Sequence, residues 1–178
     1  MMVSRLRTLL ANDRGAAVIE MAIVAPVLAL GIIGVIDMSN AYSKKLALEQ
    51  GAQRAIEKIM NTTETATVEA TLANEAVCQV DGVNADGTCK SSPITTANVT
   101  VTWRLDCTTG ATTTSQSTTD SATYDGYVTA CASPSKRAGY VQVTVTDTYT
   151  PMFPIHFASF NTSDQKYHIS ATAGTRTL

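Results

Sequence analysis

The feature that most constrains the fold of this chain is an apolar segment close to its N-terminus. The run AAVIEMAIVAPVLALGIIGVI covers Ala16 to Ile36, and no residue from Met21 to Ile36 is charged. At about 1.5 Å of rise per residue, a helix of this length extends roughly 31 Å, which matches the hydrocarbon thickness of a bilayer. The segment therefore predicts a single membrane-spanning helix over residues 16–36.

The residues on either side of this segment indicate its orientation. Residues 1–15 carry a local charge of about +2, and basic flanks stay on the cytoplasmic side of a membrane, although Lys44 and Lys45 reduce the asymmetry. A cleaved secretory signal has a shorter apolar run followed by a small-residue cleavage site, and the sequence after Ile36 offers no convincing site of that kind. We therefore expect a retained single-pass anchor with residues 1–15 in the cytoplasm and the remaining chain outside.

One acid, Glu20, interrupts the start of the apolar segment. A carboxylate is costly in hydrocarbon, so such a residue pairs with a cation or lies near the membrane surface. In one interpretation, Glu20 lies one turn into the helix and reaches back to water or to Arg14. In the other, cleavage between Gly15 and Ala16 creates an α-ammonium group four residues before the carboxylate, on the same helix face. Glu20 would then neutralise its own N-terminus or that of a neighbouring subunit, which favours assembly.

The sequence around this acid resembles the TadE-like proteins of tight-adherence (Flp) pilus systems. The resemblance rests on Arg14–Glu20 (RGAAVIE), on an apolar helix that contains Pro26, and on Gly34–Asp37 (GVID). A C-terminal pattern is also similar: a Val-x-Val-x-Val strand, then YTPMFP from Tyr149, then a last strand that runs into ATA from Ala171. Residue 21 departs from the Flp pilins, because it is Met where they usually have an aromatic residue.

The resemblance implies processing and assembly. A prepilin peptidase would cut after Gly15, Ala16 would become the mature N-terminus, and Glu20 would serve assembly as the fifth residue. Loss of 15 of the 178 residues leaves 163, and loss of three Arg and one Asp changes the formal charge from −2 to −4. The implied location is the bacterial inner membrane. The implied partners are membrane lipid, other pilins, the tight-adherence assembly proteins and the prepilin peptidase.

Small residues recur along the predicted span and would let neighbouring helices approach closely. We predict that Ala25, Ala29, Gly31 and Gly34 form subunit contacts together with Glu20 and Pro26. Ordinary membrane composition, which is rich in Gly and Ala, is the alternative explanation. Pro26 also removes one helix hydrogen bond and is expected to kink the helix.

Beyond the span, the pattern first predicts more helix. Apolar residues recur every three to four positions up to Met60, so an amphipathic extension is expected over residues 37–60, with a break possible at Gly51. Asn61–Glu64 has the character of a helix stop followed by a new N-cap. A second, shorter helix is marked by Val68, Leu72, Ala76 and Val77.

From Asn98 the apolar period changes to two, which predicts strands. Strands are expected at residues 99–104, 140–149 and 167–171, and a fourth around residues 124–130. Residues 61–178 should therefore form an extracytoplasmic α+β domain, in which helix covers one face of a small antiparallel sheet of three or four strands. Residues 108–123, of which 11 of 16 are Thr or Ser, predict a mobile loop. Exposed loop residues suit adhesion or O-glycosylation, but a solvated insertion is the preferred interpretation.

All four cysteines follow the apolar segment, and an even number outside the membrane suggests disulfides. Three pairings are possible. We favour Cys78–Cys89 and Cys107–Cys131, because each closes a local loop that would contribute roughly 3 kcal/mol by the chain-entropy argument. A zinc site is disfavoured, because the sequence has no C-x-x-C and both histidines lie far from the cysteines.

No catalytic pattern stands out. His156 and His168 are interpreted as surface or packing residues, and there is no P-loop, Gly-x-Ser-x-Gly or His-x-x-x-His. The segment that starts at Asp81 resembles a calcium loop only loosely, because its twelfth residue is Ser92 instead of Glu. Lys and Arg do not cluster as nucleic-acid binding requires. We therefore expect no enzyme, no cofactor, no metal site and no nucleic-acid partner.

Two functions of different classes follow from these features. The first is a structural one: a TadE-like minor pilin or pseudopilin, anchored in the membrane, that acts in initiation, assembly or at the tip of a Flp-type pilus. The second is an unprocessed, membrane-anchored periplasmic binding module. The position of the mature N-terminus separates the two.

Overall fold

The computed structural model describes residues 13–61, 65–153 and 160–178. Its elements, in chain order, are α1 (Asp13–Asn61), α2 (Thr65–Asp81), a 3-10 turn (Thr96–Asn98), β1 (Val99–Thr109), β2 (Thr112–Thr118), α3 (Ser121–Ala130), β3 (Lys136–Tyr149), β4 (Phe160–Asn161) and β5 (Lys166–Arg176). The α+β class expected from the sequence is confirmed, with five strands instead of three or four. The expected N-cap around residues 62–64 lies outside the described residues.

The chain divides into two compact units. The first contains α1 as far as Ala41 and the segment that begins at Pro151, and the second contains Tyr42–Thr150 together with the C-terminal strands. In the first unit, every described side chain from Ala17 to Ile32 is exposed. Within the described ranges, α1 is the one helix that is long and apolar enough to cross a membrane.

In the second unit, the outer part of α1 packs against α2. Leu48, Ala52 and Ala55 on α1 are fully buried, as are Leu72 and Ala76 on α2. The packing follows from the apolar period of three to four residues, because that spacing puts these side chains on one face of each helix. The Lys58 ammonium forms an ion pair with the Glu75 carboxylate across the same pair of helices.

Gly51 does not break α1, which is continuous to Asn61. Instead, this glycine lies where the two helices come closest. A Cβ atom at residue 51 would lie 2.6 Å from Cγ2 of Val80 and 2.9 Å from the carbonyl oxygen of Ala76. The missing side chain therefore permits the close approach of α2.

The sheet is antiparallel, with the order β2-β1-β3-β5-β4. Its central pairing aligns Trp103 with Val141 and continues with Val145 opposite Ala171 on the next strand. The buried side chains of the sheet alternate along the strands, as the period of two predicts, and are Trp103, Leu105, Val141, Val143, Val145 and Ala171. Together with α1 and α2 they complete one hydrophobic core.

Two expected elements are wrong. The Thr/Ser-rich stretch contains a strand, β2, that forms a hairpin with β1, with Thr109 opposite Thr112 and Gly110 at φ +62°. Thr favours extended backbone, so a polar stretch can form an edge strand without an apolar face. Residues 124–130 are helical instead of extended. Asp120 caps α3 by accepting a hydrogen bond from the Thr123 amide at 2.8 Å, and Tyr124 is buried.

The cysteines pair as favoured from the sequence. Cys78 is joined to Cys89, with 4.7 Å between the Cα atoms, and Cys107 to Cys131, with 5.8 Å. Both distances lie in the range that a disulfide spans without backbone movement. The first bridge closes the segment after α2, and the second links β1 to the end of α3. No cysteine in the described chain is free.

A partly buried ion pair joins α1 to the end of β3 in the second unit. The Lys44 ammonium lies 2.8 Å from Oδ2 of Asp147 and donates a hydrogen bond of 2.7 Å to the carbonyl oxygen of Thr148. Lys44 therefore has a packing partner in this unit, in addition to its position in the charge pattern beside the membrane segment.

Candidate functional site

The predicted cleavage and assembly residues lie in the first turns of α1. Gly15 and Ala16 are both helical, close to the start of the helix at Asp13. After cleavage, the α-ammonium group of Ala16 would add to the positive end of the helix dipole. A carboxylate one turn further on offsets both charges.

Glu20 is exposed on α1, within the run of exposed apolar side chains. Among the side chains described from Ala17 onward, none forms an ion pair with it. In a bilayer its carboxylate would therefore reach water at the membrane surface, or pair with a cation from the N-terminal end of the chain or from another molecule.

The small residues of the span lie on two faces of α1. At about 100° per residue, Gly31 and Gly34 fall within roughly 40° of Glu20, whereas Ala25 and Ala29 lie on the opposite side. All of them except the half-buried Gly34 are exposed, and a Cβ atom added at Gly31 would meet no atom within 4 Å. Pro26 also lies in the exposed run, and α1 continues on both sides of it. Small residues are thus present on two sides of α1.

Asp37, directly after the span, is a residue whose role the sequence did not reveal. Its side chain is 4% exposed, although it carries a carboxylate. Its Oδ1 accepts a hydrogen bond of 2.9 Å from the amide of Met152, and its Oδ2 accepts one of 3.2 Å from the amide of Phe153. Asn40 donates a hydrogen bond of 3.6 Å to the Met152 sulfur. The GVID and YTPMFP motifs, separated by more than 100 residues, therefore meet at one carboxylate.

The segment that resembled a calcium loop is a turn held by its own side chains. Asp86 accepts hydrogen bonds from the amide and the hydroxyl of Thr88, and these bonds lower the pKa of its carboxyl group. Asp81 accepts a bond of 3.2 Å from the amide of Ile94, and burial raises the pKa of its carboxyl group. The two carboxylates therefore serve separate backbone contacts. In the described ranges, no three His, Cys, Asp or Glu side chains converge as a metal site requires.

The histidines take different places. His168 is exposed on β5, and its Nε2 lies 2.7 Å from Oδ2 of Asp164 in the adjoining turn. Ile169 and Ala171, on the other side of the strand, pack with the core. This position agrees with the interpretation of His168 as a surface residue. His156 lies outside the described residues.

Comparison with known proteins finds a family match over part of the chain. Residues 15–56 match the family of TadE-like proteins. The match begins at Gly15, contains Glu20 and Asp37, and ends within the part of α1 that packs in the second unit. It confirms the resemblance drawn from the sequence. No curated protein and no solved structure matches the chain significantly.

Proposed function

We propose that this protein is a TadE-like minor pilin or pseudopilin: a membrane-anchored structural component that initiates, assembles or caps a Flp-type adhesion pilus. The observation that carries the proposal is the family match over residues 15–56. The match supports a component associated with the tight-adherence pilus system. The matched residues lie on the helix that has the length and apolarity of a membrane span, which supports the anchoring role.

The exposure of α1 supports anchoring in the membrane. Its apolar side chains from Val18 to Ile32 remain exposed, among them Ile23, Val27 and Leu30 at more than half of their surface. A soluble monomer rarely leaves a continuous apolar surface of this size uncovered. A lipid environment, or the helices of neighbouring subunits in a fibre, would cover it.

The sequence features of the two units support different roles for them. The first unit supplies the anchor, the acid Glu20 and the small residues that suit helix packing. The second unit contains both disulfides, which suits an oxidising compartment outside the cytoplasm. In this proposal the inner membrane holds α1 with its N-terminus in the cytoplasm, and the second unit faces the periplasm or the fibre surface.

Deletion of the coding sequence tests the pilus role. We expect the deletion to remove Flp-type fibres from the cell surface, because a missing initiating or capping subunit blocks assembly, and we expect the wild-type chain to restore them. Electron microscopy and the pilin content of the sheared surface fraction measure the result. Production of the major pilin in the cell is the control.

Normal fibre number and normal surface pilin in the deletion strain would contradict the pilus role. The chain would then be better described as a membrane-anchored module that acts apart from the fibre.

A further inference from the structure

We propose that the segment Pro151–Phe153 is a second membrane contact, which seats Met152 in the outer lipid interface beside the end of the span. This inference rests on the proposed function, because it requires α1 to be inserted in a bilayer. The partner is the lipid surface, at the level of the headgroups and the first acyl carbons.

The segment lies at the end of the span. Asp37 follows Ile36, the last residue of the apolar run, so the Asp37 carboxylate marks the end of the span. Both of its oxygens accept backbone hydrogen bonds from the segment, at 2.9 and 3.2 Å. Met152 is therefore held within hydrogen-bonding reach of the point at which α1 leaves the hydrocarbon.

The backbone N–H groups of the segment have acceptors within the protein. A non-helical segment can enter a water-poor region only when its N–H groups find acceptors within the protein. Residue 151 is a proline and has no N–H group, and the N–H groups of Met152 and Phe153 both donate to Asp37. None of the three consecutive residues therefore has a backbone N–H group that needs water as its acceptor. The same two bonds satisfy a carboxylate that is nearly fully buried.

Two methionine side chains are exposed at this end of the span. Met152 is 68% exposed, although it is apolar and its backbone is fixed by a buried acid. Met38, the next residue after Asp37 on α1, is also about half exposed. A single exposed methionine on a soluble surface has no special meaning. Here Met38 directly follows the exposed apolar run of the span, and the Met152 sulfur lies 3.6 Å from Nδ2 of Asn40, two residues further along α1. Lipid at the level of the headgroups and first acyl carbons around this end of α1 would cover both methionines.

Quenching of tryptophan fluorescence by brominated lipid tests this inference on the full chain. The protein is reconstituted into vesicles of phosphatidylcholine and phosphatidylglycerol, with or without phosphatidylcholine that carries bromine on its acyl chains near the headgroup. The chain has one tryptophan, Trp103, which is buried in the core. The effect of brominated lipid on the emission of the wild-type protein is therefore the background. Met152→Trp adds a reporter in the segment. Val83→Trp, at another exposed apolar position in the second unit, is the matched control.

We expect brominated lipid to reduce the emission of Met152→Trp well beyond the background, and to leave Val83→Trp close to the background. In the double variant Asp37→Ala/Met152→Trp, brominated lipid should no longer reduce the emission beyond the background. The amides of residues 152 and 153 lose their acceptor in this variant, so the segment is released from α1. Asp37→Asn, combined with Met152→Trp, retains one acceptor oxygen, so brominated lipid should still quench part of the emission from residue 152.

Flotation of the vesicles separates the possible failures. If the protein floats with the vesicles but tryptophan at residue 152 is not quenched, the membrane anchor is supported and the proposed lipid contact is wrong. The exposed Met152 side chain would then be a candidate for contact with another protein. If tryptophan at residue 152 is quenched equally with and without the Asp37 carboxylate, the role of Asp37 is wrong. If the protein does not float, both the membrane anchor and this inference fall.

Discussion

Replacement of Glu20 by alanine is expected to leave the chain in the membrane and to exclude it from assembled fibres. The carboxylate is exposed within an apolar run, and no side chain described from Ala17 onward pairs with it. An ionised group inside a membrane helix makes insertion less favourable, and the cost is largest at the centre of the helix. Alanine removes that cost, so insertion should be unchanged or improved. What is lost is the attraction between the carboxylate and an α-ammonium group.

The measurement compares the membrane fraction with the sheared surface fraction in cells that carry the complete pilus system. Glu20→Ala should be present in the membrane at the wild-type level, with fibre number strongly reduced. Val24→Ala is the matched control, because it removes an exposed apolar side chain one turn further on, on nearly the same face, without changing charge. It should assemble almost normally. Normal fibres in the Glu20→Ala strain would show that Glu20 is not the assembly acid.

Gly51→Ala is expected to destabilise the second unit, although alanine is the better helix former. The new Cβ atom would lie 2.6 Å from Cγ2 of Val80 and 2.9 Å from the carbonyl oxygen of Ala76. Overpacking of this kind costs about 1–3 kcal/mol, against a gain in helix propensity of at most about 1 kcal/mol. Because one of the two atoms belongs to the backbone, the helices must move apart. Gly51→Val should therefore be worse still.

Gly126→Ala is the matched control for this change. Gly126 also lies in a helix, α3, but an added Cβ atom there would meet nothing within 4 Å. The propensity gain should then appear alone, as an increase of up to about 1 kcal/mol in the free energy of unfolding. Urea unfolding of the full chain in detergent, followed by the emission of Trp103, measures both variants. An equal stabilisation by the two changes would show that Gly51 does not mediate the close approach.

Regular apolar patterns made much of this fold predictable from the sequence. The length of α1 follows from an uncharged run that passes directly into a period of three to four residues. The strands β1, β3 and β5 follow from their alternation, because Val141, Val143 and Val145 must share one face. The disulfide pairs followed from the short loops that they close. These signals are local, and each involves residues close together in the chain.

The missed features lack such a local signal. Most side chains of β2 are exposed, so no buried face marks it as a strand. In α3, Tyr124 and Val128 are residue types that favour strands. They are four residues apart, however, and a helix brings both of them against the core. Asp120 caps the start of this helix. That cap was a readable signal for the helix. The contact between Asp37 and Met152 spans 115 residues, and nothing in either motif alone indicates the other.

The mature N-terminus tests the central claim of a processed, TadE-like pilus component most directly. The protein is purified from membranes of cells that contain the prepilin peptidase, and its intact mass and N-terminal peptide are determined by mass spectrometry. A Gly15→Leu variant, which removes the residue before the predicted cleavage point, is the control and should retain residues 1–15. We expect the wild-type chain to begin at Ala16, with Glu20 as its fifth residue. A wild-type chain that still begins at Met1 in those cells would contradict that claim.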